Sequence, residues 1–288
     1  MANLEISREQ RLDQKVVELL PDLSRADAAK LIEQGRVKVN AQIQTKPGFK
    51  LRADDVVVVD YDSKQATVIP EIDLEVIFED YDCVVIYKPI GLLAHSKGAF
   101  NPEPTVASWL RSKVRGIDGN RAGIVHRLDR ATSGVMICAK TPAALSWLQK
   151  QFAQRRTKKQ YIALVQGHMK HDKAVIEMPI ERNPKAPATF RVGPMGKPAT
   201  TEFEVIRTSQ HYSLLLLKPE TGRTHQLRVH LAHLGHPIVG DELYKGKSAD
   251  RLYLHALSLE VTIPQGHERK VFQSELPAEF MRKLDQDV

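Results

Sequence analysis

The chain of 288 residues is predicted to be an α+β protein, with a large domain on a mixed, mainly antiparallel sheet and a small N-terminal α/β domain before it. Three observations carry this expectation. From about residue 71 strand-like runs outnumber helical ones and do not alternate regularly with them, the pattern of an antiparallel sheet and not of repeated βαβ units. Residues 61–70 are polar and lack periodicity, which divides the chain into domains at 9–60 and 71–288 joined by a linker. With 42% hydrophobic residues over this length, there is enough apolar material for a large core and a small one.

In the N-terminal domain Leu12, Val16 and Leu19 recur at helical spacing until Pro21 stops the run. Ser24 starts a second helix with Asp27 placed to reach back as in a capping box, and Gly35 ends it. Val37, Val39 and Ile43 flank Asn40-Ala41 as a hairpin, and residues 56–59 form a further strand after Asp54-Asp55. In the larger domain strands are expected at 74–78, 83–87, 135–139, 161–165 and 213–217. Between the third and fourth lies a helix: Thr141 caps it, Pro142 takes its first position, and Leu145, Leu148 and Phe152 share one face. After the strand at 213–217, Leu227, Leu231 and Leu234 mark another helix, ended by Gly235 with Pro237 beyond.

A formal net charge of +7 fits a polyanionic partner, because cations that neutralise phosphates release condensed counterions. Charge alone does not distinguish this from an ordinary basic protein. Both cysteines, Cys83 and Cys138, sit in apolar strand-like runs with no metal-type or secretory spacing, as a reducing cytoplasm allows. The first nine residues lack the apolar centre of a signal peptide, and no stretch reaches membrane-spanning length, so a cytoplasmic, monomeric protein is expected.

The segment Gly123-Ile-Val-His-Arg-Leu-Asp-Arg-Ala-Thr-Ser-Gly134 sets one carboxylate, Asp129, between Arg127 and Arg130. Flanking cations favour the ionised form that a nucleophile or a proton-abstracting base requires. A structural ion pair pinning the loop explains the same triplet, and such pairs are commoner than catalytic ones. Tyr161, followed by Ile-Ala-Leu-Val, reads equally as a core residue of a strand. His225, His230, His233 and His236 invite a zinc hypothesis, but no pair has the i, i+4 separation that helical ligands use, so helix packing and RNA contacts are expected and no metal.

The longer string changes the balance. His126-Arg-Leu-Asp-Arg-x-Thr-Ser-Gly134 closely resembles the central motif of the RluA-type pseudouridine synthases, and further landmarks resemble that family in order. These are residues 88–92 (Lys-Pro-Ile-Gly-Leu), 159–165 (Lys-Gln-Tyr-Ile-Ala-Leu-Val), 221–230 (Thr-Gly-Arg-Thr-His-Gln-Leu-Arg-Val-His), 235–241 and 254–257, so the resemblance spans roughly residues 71–280. It implies an isomerase that breaks the N1–C1′ bond of uridine, turns the base and rejoins C5 to C1′ without cofactor. It also implies that Asp129 is the catalytic aspartate, that Tyr161 lies against the base, and that Arg223 pairs with the aspartate. His126, Arg127, Arg130, Lys159 and Leu227 are then expected to bind substrate, with Arg127 as wedge or phosphate contact for an extruded nucleotide.

The N-terminal segment is similar to the alpha-L RNA-binding motif of a small-subunit ribosomal protein and of tyrosyl-tRNA synthetases, through Leu23-Ser24-Arg25, Leu31-Ile32, Gly35-Arg36-Val37-x-Val39-Asn40 and Asp55. It departs at Ala41 and Asp54, where glycine is usual. Arg11, Arg25, Lys30, Arg36 and Lys38 would face phosphates. Because family members with this domain mostly resemble large-subunit ribosomal RNA enzymes, 23S ribosomal RNA or an assembling subunit is the expected partner. A tRNA substrate, or a non-catalytic RNA-binding assembly protein, is the alternative.

Overall fold

The computed structural model describes residues 10–21, 23–61, 69–95, 103–119 and 121–287. The N-terminal part runs β1 (Gln10–Arg11), α1 (Leu12–Leu19), α2 (Arg25–Glu33), β2 (Val37–Val39), β3 (Gln42–Ile43), β4 (Lys50–Leu51) and β5 (Val57–Val59). The Ser24 side chain accepts from the Asp27 N–H while the Asp27 carboxylate accepts from the Ser24 N–H, so the expected capping box is present. Asn40 (φ 49) and Ala41 (φ 69) both adopt left-handed backbone, so the hairpin turn forms without a glycine. Asn40 also ties it down, donating to Asp55 (2.7 Å) and accepting from the Val56 N–H (2.9 Å). Leu12, Val16, Leu31, Ile32 and Val37 make a core that draws only on residues of this part. Leu19, expected on the buried face of α1, is 47% exposed, because the helix ends there before its next turn reaches the core.

The remainder runs β6 (Val76–Glu79), β7 (Cys83–Lys88), α3 (Val106–Leu110), β8 (Ser133–Ala139), α4 (Pro142–Ala153), β9 (Lys158–Gln166), β10 (Lys173–Glu177), β11 (Ile180–Arg182), β12 (Phe190–Val192), β13 (Thr200–Thr208), β14 (Tyr212–Pro219), α5 (Gln226–His233), β15 (Leu254–Thr262), β16 (Arg269–Gln273) and α6 (Ala278–Asp285). Nine strands form one sheet in the order β10-β13-β14-β9-β15-β8-β7-β6, with β16 beside the second half of β15. Every pairing is antiparallel except β15 with β8, so the sheet is mixed and mainly antiparallel as expected. β8 is buried at all seven positions, which is why its run of residues reads as continuously apolar. The expected linker falls largely on residues 62–68, outside the described residues.

The parallel β8–β15 contact needs a glycine. A Cβ on Gly134, which has φ 118, would come within 2.1 Å of the Ala256 carbonyl oxygen. Only glycine lets the two backbones approach this closely and still take that φ. Behind the same contact His255 lies between Ser133 Oγ (2.9 Å) and Ser274 Oγ (2.9 Å), and Arg251 donates to Ser133 (2.6 Å). This network, buried at Ser133, Arg251 and His255, ties β8, β15 and the C-terminal segment together beneath the loop that carries Asp129.

Candidate active site

The loop 127–132 leads into β8 and closes with a hydrogen bond from the Thr132 N–H to the Asp129 carbonyl (3.0 Å). Its floor is Lys88, a fully buried lysine whose Nζ donates to the carbonyls of Pro89 (2.7 Å), Leu92 (2.9 Å) and Arg130 (3.3 Å). Burial pushes the Lys88 ammonium down to about 7, and the nearby Asp129 carboxylate opposes the shift. On the facing side, Gln226 at the start of α5 staples the loop 219–225: its oxygen accepts from Thr221 Oγ1 (2.7 Å) and the Arg223 N–H (3.0 Å), and its nitrogen donates to Thr200 (2.9 Å). Between the two loops lies a pocket of about 130 Å³ in which Asp129 is the one carboxylate among the described residues, together with Arg127, Lys159, Tyr161, Leu227 and Arg228.

Arg228 is the cation that meets Asp129. Its Nη1 is 3.4 Å from Asp129 Oδ2, while its Nε and Nη2 donate to both oxygens of the buried Asp241 at 2.7 Å each. The guanidinium also lies over the Tyr244 ring, 5.1 Å from its centre. His225 Nε2 is 3.8 Å from the same Asp129 oxygen. Tyr161, at the centre of the sheet between Leu217 and Ala256, borders the pocket; burial and the Asp129 carboxylate push its hydroxyl pKa up, so the phenol is neutral.

Residues 82–233 match the RNA pseudouridylate synthase family and residues 10–57 match the S4 domain. The first match covers more than half the chain. The chain belongs to the RNA pseudouridylate synthase family. A Yersinia pestis relative described as ribosomal large subunit pseudouridine synthase D is 38% identical over 96% of this synthase and 90% of that protein, and the Salmonella typhimurium protein of the same description is 37% identical with the same coverage. Among solved structures, human RNA pseudouridylate synthase domain containing 1 has a TM-score of 0.61 and 32% identity, over 74% of this chain and 87% of that one. This synthase is therefore an isomerase acting on RNA, with an S4 domain at its N-terminus and a mixed-sheet catalytic domain.

Within the synthase fold three expected placements change. Arg223 does not pair with Asp129: the Gln226 staple turns residues 221–223 so that its Nε donates to the Pro198 carbonyl (3.0 Å), and Arg228, on the first turn of α5, takes the place beside the carboxylate. Arg130 pairs with Glu103 and does not line the pocket. Its carbonyl faces Lys88, which turns its side chain to the opposite side of the loop. His126 stacks on Phe152 (4.5 Å between centres) and its Nε2 accepts from the Ile137 N–H (3.1 Å). Burial drives its pKa down to about 3, so it is a neutral packing residue and no cation for phosphates.

Arg127, Lys159 and Leu227 do line the pocket, and so does Arg223, although it does not meet Asp129. Nothing in the sequence pattern assigns Arg228 and His225 to Asp129, which they reach through the turn before α5, or Asp241 and Tyr244 behind them; the Arg at 228 in the 221–230 string is the available signal. Of the other histidines, His230 is held by Thr201 Oγ1 and Met178 O (3.0 Å each) and His236 by Gln166 O (2.9 Å). A second cleft of about 460 Å³ opens next to the pocket, with Arg127, Arg155, Lys159 and Arg223 on its walls and Glu220 as its one acid among the described residues. Burial and Arg155 lower the Lys159 ammonium to about 8. In the S4 domain Arg11 and Arg25 both grip the buried Asp13 at 2.9–3.0 Å, Arg36 lies 3.9 Å from Asp60, and Lys30 and Lys38 are exposed.

Proposed function

We propose that this synthase isomerises specific uridines of 23S ribosomal RNA in the cytoplasm, with Asp129 as the reacting carboxylate. The observation that carries the reading is the pocket itself, in which a single carboxylate faces Tyr161 among cations. The substrate rests on the relatives, whose names place them on the large ribosomal subunit, and on the S4 domain. The reaction is balanced without cofactor or metal: the N1–C1′ bond breaks, the uracil turns, C5 joins C1′, and the proton leaving C5 is matched by one gained at N1. Asp129 either attacks C1′ or removes the 2′ proton, and in both cases a neighbouring cation stabilises charge where it develops.

The target nucleotide must leave its helix to reach so small a pocket. Arg127, exposed at the mouth, stands where the vacated position would be. Lys159 and Leu227 hold the base, and Arg155 and Arg223 in the adjoining cleft take flanking phosphates. Residues 9–60 then anchor the enzyme on RNA through Arg11, Arg25, Lys30, Arg36 and Lys38, while residues 71–288 perform the chemistry. Asp129→Asn removes the reacting charge at nearly constant shape. It is expected to abolish pseudouridine formation while the folded protein still binds RNA, and a turnover near that of the parent would overturn the mechanism. Mapping pseudouridines in total RNA from cells lacking the protein tests the substrate: missing sites confined to tRNA would refute the ribosomal assignment.

A further inference from the structure

Among the described residues Arg228 and His225 both approach the same oxygen of Asp129. Arg228 Nη1 is 3.4 Å and His225 Nε2 is 3.8 Å from Oδ2. What His225 presents there depends on which ring nitrogen carries the proton, because a bare Nε2 would repel the carboxylate and an Nε2–H would attract it. The answer lies on the far side of the ring. His225 Nδ1 is 2.8 Å from Tyr244 Oη, and that oxygen already accepts the Phe190 N–H at 3.0 Å. Nδ1 is the acceptor that the phenol proton can reach here, and the arrangement that uses it puts the imidazole proton on Nε2.

We propose that His225 is a positioning residue for the synthase reaction: Tyr244 holds it as the Nε2–H tautomer, and with Arg228 it fixes Oδ2 of Asp129 so that Oδ1 is the reacting oxygen. This rests on the reading of Asp129 as the reacting carboxylate. Several features support it. Burial lowers the His225 pKa and raises that of Tyr244, so the ring is neutral and the phenol keeps its proton. His225 has a left-handed backbone (φ 56) immediately before α5, a conformation uncommon outside glycine, and its ring is set edge-on against Tyr244 and Phe190. Of the other charged groups around the ring, Arg228 and Arg127 offer only donors and both oxygens of Asp241 are taken by Arg228, so among the described residues Asp129 is the carboxylate left for the Nε2 proton. Separations of 3.4 and 3.8 Å without substrate are of the kind that tighten when substrate closes the site.

The test compares His225→Gln with His225→Asn in single-turnover pseudouridine formation on the same RNA, together with RNA affinity. The glutamine amide reaches the position of Nε2, whereas the asparagine amide reaches only that of Nδ1. Asparagine suits left-handed backbone better, so a purely structural role would favour it. Expected is a loss of about 10- to 100-fold in rate for the asparagine variant at unchanged affinity, with most of it restored by glutamine. Tyr244→Phe should lose a similar factor, and combined with His225→Asn the losses should not multiply, because both act through one tautomer. Equal rates for the two His225 variants, or asparagine outperforming glutamine, would overturn the inference. A parent enzyme that forms no pseudouridine would instead refute the function it rests on.

Discussion

At the scale of single residues the site is organised by charges whose partners are buried. Arg228 is 8% exposed and Asp241 1%, and their paired hydrogen bonds leave one guanidinium nitrogen for Asp129. A buried ion pair is costly to break, because the group left behind remains desolvated without compensation. Asp241→Asn should therefore destabilise the fold by about 3 kcal/mol and lower the single-turnover rate, although Asp241 does not line the pocket. Urea unfolding and rate measurements on the same variant check both parts. A destabilised variant with the full rate would mean that the position of Arg228 is irrelevant to Asp129. Lys88 follows the same logic with carbonyls in place of a carboxylate: three backbone oxygens hold its ammonium under the catalytic loop, which explains a lysine in an otherwise apolar strand.

At the scale of elements, the catalytic loop depends on how closely β8 and β15 meet. Gly134 has both an unfavourable φ for other residues and a carbonyl in the space of a Cβ, so Gly134→Ala cannot be relieved by a rotamer change. Either the strands separate or the backbone of loop 127–132 shifts. The expected result is a loss of several kcal/mol in stability and loss of activity, read by thermal unfolding and by pseudouridine formation; a variant as stable as the parent would show that the strands can part freely. Gly235, by comparison, faces open space and serves only the turn after α5. Two glycines of the recognised strings thus do different work, one permitting a contact and one a bend.

At the scale of the whole molecule, two neutral histidines, His255 buried and His126 half-buried, set a limit in acid. His255 is lowered to about 4 by burial and then by Arg251, and His126 to about 3 by burial. In the unfolded chain both titrate near 6.5, so between about pH 6.5 and 4 the unfolded state binds more protons and stability falls as the pH falls. Asp13 adds a separate loss at lower pH: hydrogen bonding from Arg11 holds its carboxyl at about 2, so its contribution fades only below about 4. Denaturant unfolding at pH 7.5 and 5 should differ by a few kcal/mol, and His255→Gln should flatten the difference; an equal pH dependence in that variant would rule out His255 as a source. The molecule also divides. The N-terminal hydrophobic cluster and those beyond residue 71 share no residues, so a chain of residues 69–288 should fold alone. Without the five S4 cations its affinity for RNA should fall. If about three contacts are lost, the slope of log affinity against log salt should become shallower by roughly two units, at about 0.7 per phosphate. An unchanged slope would show that the S4 domain does not hold RNA.

The short α3 and the C-terminal α6 were not legible, but local rules were enough to read the other four helices, the buried strands and the loop holding Asp129. Each of these is written in a few adjacent residues, as with Ser24 and Asp27 or Thr141 and Pro142. The short hairpin of β11 and β12 escaped notice, as did β10, β13 and β16, because strands that are short or carry exposed polar faces leave little periodicity. The same limit applies to the site. Pairing Arg223 with Asp129 came from the family resemblance, and setting Arg127 and Arg130 around it followed nearness in the chain. The tertiary structure instead chose Arg228, 99 positions away, and turned Arg130 toward Glu103. Which residue types the chemistry needs was legible along the chain. Which of several arginines faces a carboxylate was decided only when Gln226 and the β8–β15 contact fixed two distant loops against each other, since a charge acts through distance in space.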